Sequence, residues 1–395
     1  MPWLLRMTVY ASGLMLVVDL YLGWRLYRAL MLIKPEGKRL WCWIVPVSLL
    51  LFYTLPLFGV FNWLVNGHFD LFAQPKPVVY LFWFGFVFSF QLLTWVIIYD
   101  VARMAGNLIF RSLRLLVDRA YGYLVAATAL LTLFNSGWKL YHHSTVIQTD
   151  QVTLQVEELP ESLRGFRIVH ISDIQADAYT SRQKINRYID TVNRLNPDLV
   201  LFTGDLISYG TGYIEMAAGQ LAQVESTYGV FAVVGDHDYW AGLQHVVPAL
   251  EKRGIKLLRD ENRFIHTDSV VIKITGITHV YSKRSERPVV SRLTGDSTAV
   301  DFRLLAAHQM APHIVSSAKQ NNYRLLLAGH THGGQVRVPF FFQTISASEF
   351  ETPFINGIYR IDSMMVHVNS GLGYTLAPVR FNAPAKVSLI ELQDE

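Results

Sequence analysis

The first 140 residues are patterned unlike the rest of the chain. Met7–Trp24, Leu40–Val65, Val78–Tyr99 and Ala120–Trp138 are apolar runs near the ~20 residues needed to cross a bilayer. Trp41, Trp43 and Trp63 lie near the ends of the second run, where indoles anchor at a membrane interface. Asp19 interrupts the first run, an acid tolerated inside a helical bundle when it finds a partner. After Lys139 the grammar changes to short apolar runs alternating with amphipathic stretches. Phe166–Ser172, Asp198–Phe202, Val230–Val234, Phe302–Ala307 and Tyr323–Ala328 read as buried strands. The stretches around 181–195, 212–226 and 240–253 have helical spacing, so strand, polar tip and helix recur as βαβ units.

Every one of those strands ends in a side chain that can bind metal. In order, the tips are Asp173; Thr203-Gly-Asp205; Gly235-Asp-His-Asp238; His308; and Gly329-His-Thr-His332. In α/β sheets ligands gather at the carboxyl ends of strands. One Gly-Asp turn or one core histidine carries no information. Five such tips in register with five strand ends predict side chains converging on one rim. The donors are oxygen and nitrogen, which suits Mn, Fe or Zn.

Composition sharpens this picture in three places. Hydrophobic residues make up 51% of the 395-residue chain and charged residues only 17%, an excess concentrated in the N-terminal runs. The net charge of +4 is mild and no Lys/Arg block is present, which argues against nucleic acid as a partner. Cys42 is the only cysteine, so the chain can form neither an internal disulfide nor a multi-thiolate metal site. Basic residues also orient the bundle. Arg25, Arg28, Lys34, Lys38, Arg39, Arg103, Arg111, Arg114 and Arg119 fall in two loops on one side, against Arg6, Lys76 and Lys139 on the other. The positive-inside rule makes the nine-residue side cytoplasmic and sends everything after Trp138 outside the cytoplasm.

The order Asp173…Gly204-Asp205…Gly235-Asp-His237…His308…Gly329-His-Thr-His332 resembles the calcineurin-like metallophosphoesterase superfamily. The runs Gly329–Gln335 and Ser370-Gly-Leu-Gly373…Pro378-Val-Arg380 look like its bacterial membrane- or wall-associated phosphodiesterase branch. The apolar runs predict a helical membrane domain over 1–140, about four spans, while the resemblance, which covers about 165–395, implies an α/β phosphoesterase sandwich of two sheets flanked by helices over 148–395. It further implies two divalent ions bridged by Asp205, with Asp173, Gln175 and His332 completing one site and Asp236, His308 and His330 the other. His237 would be the non-ligand histidine that stabilises phosphoryl oxygens or protonates the leaving group. A carboxylate bridge that holds two cations ~3.5–4 Å apart generates a nucleophile near neutral pH and clamps phosphate for in-line attack.

Two positions depart from the family's pattern. Gln175 stands where a histidine is usual and Asp236 where an asparagine is usual. An amide oxygen is a weaker ligand for Zn or Fe than imidazole, whereas a carboxylate binds the cation more tightly and repels an anionic substrate. The expected activity is hydrolysis of phosphodiester or pyrophosphate bonds in a lipid-linked or envelope substrate. The alternative is a non-catalytic phosphoesterase-like binding or regulatory domain on a membrane sensor or transporter. Tyr209 and Arg380 are further candidates for substrate contact, and Asp177, Asp238 and His313 read as supporting residues or caps. Phe340–Phe342 reads as core or as a lipid-facing patch.

Overall fold

A computed structural model describes residues 1–71, 73–267 and 269–395. The apolar runs become long helices: α1 (Trp3–Ile33), α2 (Lys38–Leu50), α3 (Thr54–Asn66), α4 (Lys76–Ile109) and α5 (Arg114–Thr145). Four helical segments among the described residues are long and apolar enough to cross a membrane, with α2 and α3 together making the second. That second span is not one straight rod. A 3-10 turn at Leu51–Tyr53 separates α2 from α3. Pro56 explains it, because its ring has no N–H to donate to Phe52 and crowds that residue's carbonyl.

Two acids inside the helical unit, Asp19 and Asp100, have side-chain partners on neighbouring helices. Asp19 is buried and accepts from Ser89 Oγ at 2.5 Å and Tyr53 Oη at 2.9 Å. Asp100 pairs with Arg25 and Tyr21 of α1, while Arg103 turns to Asp118 at 2.7 Å. The sequence neighbours Asp100 and Arg103 thus serve different partners, since α1 packs against α4.

The compact unit built on the helices ends at Ser144 but also takes in residues 336–345 and 376–382. Within it Val336, Ala377, Val379 and Phe381 pack with Trp83, Val87 and Leu140. Asn382 receives Lys139 Nζ at 2.9 Å and donates its N–H to His143 at 3.0 Å. Arg380 is completely buried in this unit and donates its N–H to Ser144 at 2.9 Å.

The second unit holds two six-stranded sheets. The strands are β1 (Ile147–Val156), β2 (Arg167–Ile171), β3 (Leu199–Phe202), β4 (Val230–Ala232), β5 (Lys256–Leu257), β6 (Glu261–His266), β7 (Val271–Ile277), β8 (Phe302–Ala307) and β9 (Leu325–Ala328). The hairpin β10 (Val338–Phe340) and β11 (Gln343–Ile345) belongs with the helical unit, and β12 (Gly357–Ile361), β13 (Met364–Val368) and β14 (Ala385–Asp394) complete the sheets. One sheet runs β1-β14-β2-β3-β4-β5, with β2 to β5 parallel; the other runs β12-β13-β9-β8-β7-β6, with β13, β9, β8 and β7 parallel.

Both faces of the central strands are covered, which is why they read as continuous apolar runs. Leu199 and Leu201 face Leu304, Leu325 and Leu327 in the core between the sheets. Val200 and Phe202 pack outward on helices α6 (Arg182–Asn193), α7 (Ile214–Leu221) and α9 (Leu243–Glu251). Helix α8 (Asp236–Ala241) precedes α9; the stretch 240–253 breaks at Gly242, whose φ of 96° cannot continue a helix. Helices α10 (Arg287–Thr294) and α11 (Pro312–Gln320) cover the other sheet through Val290, Ile314 and Val315. A polar bridge crosses the sandwich: His170 of β2 meets His367 of β13, Nδ1 to Nδ1 at 2.8 Å.

Candidate metal centre

The ends of β2, β3, β4, β8 and β9 deliver Asp173, Asp205, Asp236, His308 and His330 to one place. His308 Nε2 lies 3.3 Å from Asp236 Oδ2 and 3.5 Å from Asp205 Oδ2. His330 Nδ1 is 2.9 Å from Asp236 Oδ2, and His332 Nε2 is 3.3 Å from Asp173 Oδ1. Gln175 donates Nε2 to Asp205 Oδ2 at 2.6 Å. Two groups have ligand atoms all within 4.8 Å of one another: Asp236, His308 and His330, and Asp173, Asp205 and His308. All seven expected ligands therefore sit in one cluster. His308 reaches both groups, whereas the resemblance gives it to one ion only.

The backbone reaches this arrangement at a cost. Asp173, Gln175, Asp205, His330 and His332 all have φ between 49° and 72°, a region bulky residues avoid. Glycines permit the crowding by lacking a side chain. A Cβ on Gly235 would lie 2.1 Å from Asp205 Oδ1, and one on Gly329 would lie 1.8 Å from Ser172 Oγ. Neither of these two has positive φ, so close approach, more than a sharp turn, requires glycine there.

Three buried polar atoms in the cluster have no hydrogen-bond partner: Asp173 Oδ1, Gln175 Oε1 and His308 Nε2. Buried polar groups are almost always satisfied, and leaving one unpaired costs on the order of 1–3 kcal/mol. All three are good donors to a divalent cation, so the residues present fit a metal. The surrounding groups are tied down. Asp238 accepts the N–H of Gly235, Asp205 and Leu206 at 2.8–2.9 Å, capping α8 and fixing the Asp205 turn. Asp236 accepts Tyr281 N–H and Gln309 Nε2, each at 2.5 Å. His330 turns Nε2 to Glu351 at 3.0 Å, the carboxylate partner that metal-binding histidines commonly keep.

The electrostatics are those of an anionic pit. Burial pushes the Asp173 carboxyl up and lifts Asp238 to about 6. Burial works the same way on Asp205, but His308 and His237 outweigh it and hold that carboxyl low. Asp236 is also lowered, its burial overcome by His308 and His330. Burial disfavours a charged imidazole, yet Asp205 and Asp236 raise His308, and Asp236 with Glu351 holds His330 at about 9. Without another cation, these acids draw protons onto the histidines.

His237 occupies a different position. Its Nδ1 meets the Ser208 carbonyl, which can only accept, so the ring proton sits on Nδ1 and leaves Nε2 as the exchangeable site. Nε2 lies 3.4 Å from Thr375 Oγ1, and the His237 N–H donates to Asp205 Oδ1 at 2.8 Å. Trp240 packs edge-on to the ring at 4.9 Å. Of the cooler candidates, Asp177 accepts the N–H of Tyr179 and Thr180 in its own turn, and His313 meets the Ser285 carbonyl. Tyr209 is 71% exposed, while Arg380 is enclosed in the helical unit. Sequence reasoning missed Gln309, Tyr281, Glu351 and Thr375. Only Gln309, directly after a strand-end histidine, carried a local signal.

The family model for calcineurin-like phosphoesterases matches residues 166–334. A transmembrane protein with metallophosphoesterase domain from Danio rerio is 34% identical over 254 residues, which cover 61% of this chain and 56% of that protein. The chain thus spans little more than half the length of that relative. An uncharacterised metallophosphoesterase of Bacillus subtilis, YkuE, is 27% identical over 274 residues, 68% of this chain and 93% of that protein. A solved structure of a 5'-nucleotidase precursor from Thermus thermophilus overlaps 57% of this chain and 54% of its own, with 11% identity and a TM-score of 0.37.

Proposed function

The chain carries a calcineurin-like metallophosphoesterase domain, and from that premise we propose that it is a membrane-anchored, metal-dependent phosphoesterase. The observation that carries the reading is the cluster of unpaired buried donors, Asp173 Oδ1, Gln175 Oε1 and His308 Nε2, among paired carboxylates. Asp205 would be the shared ligand; Asp173, Gln175 and His332 would hold one ion and Asp236, His308 and His330 the other. Two such ions, of Mn, Fe or Zn type, supply Lewis acidity that activates water near neutral pH and neutralises phosphoryl oxygens.

The chain's own residues do the rest. Asp238 holds the Asp205 turn, and Gln309 with the Tyr281 N–H orients Asp236. The Ser208 carbonyl holds the proton on His237 Nδ1, so Nε2 is the nitrogen that takes up a second proton and, as imidazolium, would donate it to the departing oxygen or hydrogen-bond a phosphoryl oxygen. The bonds cleaved are phosphodiester or pyrophosphate bonds. The substrate is a lipid-linked or envelope phosphate, because the basic loops favour an extracytoplasmic domain tethered beside the bilayer. Helix α5 ends at Thr145 and β1 begins at Ile147, so the tether is short.

The test is metal analysis of purified full-length protein with a hydrolysis screen over monoesters, diesters and lipid pyrophosphates in added Mn. Two ions per chain and turnover of a diester or lipid pyrophosphate are expected; a metal-free protein without turnover sinks the reading. A reporter active only outside the cytoplasm, fused after Glu395, checks the orientation. Activity from a cytoplasmic reporter instead removes the case for an envelope substrate.

A further inference from the structure

An aromatic pair occupies the place where hairpin geometry least favours one. β10 and β11 pair Val338 with Ile345 and Phe340 with Gln343, so the turn between them is Phe341–Phe342. Phe341 has φ 51°, a conformation that two-residue hairpin turns normally assign to Asn or Gly. Phe342 is completely exposed, at 103%, and Phe341 and Ile345 are 43% and 39% exposed. Phe341 packs edge-on against Phe340 at 4.8 Å, but the fully exposed Phe342 ring does nothing for folding in water, and the positive φ works against the turn. A local rule broken without compensation inside the fold points to an outside partner.

The base of the hairpin identifies that partner. The hairpin belongs to the unit of the apolar helices and packs against α4. Just before β10, Val336 bridges to Phe381 and packs with Trp83, Val87 and Leu140, and Arg337 donates its N–H to the Phe381 carbonyl at 2.9 Å. Leu140 and Lys139 follow the last apolar run of α5, the level at which a spanning helix leaves the hydrocarbon. Strands of three residues reach only about 10 Å. The tip therefore stays within reach of the headgroup and acyl boundary, where exposed aromatics insert.

We propose that Phe341 and Phe342 form an interfacial anchor, buried in the lipid leaflet at which α4 begins and α5 ends. This rests on α4 and α5 spanning a membrane, and the experiment separates the two claims. In a Cys42→Ser background of the full chain, nitroxide labels are placed at Phe342→Cys, at Leu130→Cys on the exposed mid-face of α5, and at Glu157→Cys in solvent. The proteins are reconstituted in phosphatidylcholine–phosphatidylglycerol vesicles. Oxygen collects in lipid and a nickel chelate in water, so their collision ratio reports depth. The anchor predicts a ratio at Phe342 several-fold above Glu157 and approaching Leu130. A lipid-like Leu130 with a water-like Phe342 overturns the anchor and leaves the spans intact. A Phe342 label immobilised and shielded from both reagents overturns it in favour of a protein partner or a second copy. A water-like Leu130 overturns the spans and the anchor together.

Discussion

Two buried acids, one in each unit, show what separates a structural polar site from a functional one. Asp19 sits among apolar helices, and each of its oxygens accepts from a hydroxyl, Ser89 on one side and Tyr53 on the other. Asp173 sits under the strand tips with an Oδ1 that makes no hydrogen bond, as do Gln175 Oε1 and His308 Nε2, although His332 stands 3.3 Å from the first and two carboxylates 3.3–3.5 Å from the last. Both acids are buried, so burial alone says nothing about chemistry. Satisfaction decides. A closed hydrogen-bond set holds helices in register, whereas a concentrated set of unfilled donors, held by strained backbone, is a receptor for a cation.

The comparison breaks most visibly at Asp205. Asp205→Asn removes the charge on the carboxylate proposed to be shared between the two ions, and turnover should be abolished with loss of bound metal, read by elemental analysis. Full activity in that variant would end the two-ion mechanism. Next in size is His237→Ala, expected to lose at least ~10²-fold in rate, the usual scale for a general acid, while keeping its metal content. Metal loss in this variant would move His237 into the ligand set. Gln175→His, which replaces an amide oxygen with imidazole, should tighten Zn or Fe binding; an unchanged metal titration would show that Gln175 does not ligate.

Much of this was readable beforehand, and for physical reasons. Spans announce themselves because a bilayer needs ~20 apolar residues, and strand tips because a strand covered on both faces is apolar until its end. Asp173, Asp205, Asp236, His308 and His330 were legible through that rule alone. The break at Leu51–Tyr53 was present in Pro56 but hidden by hydropathy. What stayed out of reach is non-local. β14 enters the first sheet between β1 and β2 from the far end of the chain, pairing Ile147 with Ala385. Residues 336–345 and 376–382 join the helices, and Glu351 reaches His330 across 21 positions. No window of sequence encodes those meetings.

The His170–His367 pair sharpens the comparison from the other side, as a satisfied bridge whose cost appears only with acid. His170 Nε2 meets Thr203 Oγ1 at 2.9 Å, and His367 closes the other nitrogen. Burial holds His170 well below its ordinary value and His367 down to about 4, against 6.5 in the unfolded chain. The unfolded state thus binds protons first. Stability from this pair is fully present above about pH 6.5 and is lost as pH falls towards 4. For His367 alone the loss between pH 6.5 and 5 is roughly 2 kcal/mol. Denaturant unfolding at a series of pH values should show this slope, and His367→Asn, which cannot take up a proton, should flatten it. An unchanged slope in the variant would locate the acid sensitivity elsewhere.

The smallest effect belongs to Asp19, and it tests the central contrast most directly. If satisfied acids are structural, replacing this one with its uncharged isostere should leave the chemistry alone. Asp19→Asn keeps one acceptor oxygen and turns the other into an N–H donor. Ser89 and Tyr53 are hydroxyls, each able to rotate and accept where it formerly donated. The set can therefore re-close, with a cost of about 1 kcal/mol from the exchange of a charged for a neutral hydrogen bond. Hydrolysis of a water-soluble ester should stay within twofold of the parent, and the thermal midpoint in detergent should fall by only a few degrees. Asp19→Leu removes both acceptors, strands the two hydroxyls, and should lower the midpoint further at unchanged turnover. A tenfold loss of activity in Asp19→Asn, with its fold intact, would show that a satisfied acid can still serve the reaction, and the distinction between closed and open polar sites would fail for this protein.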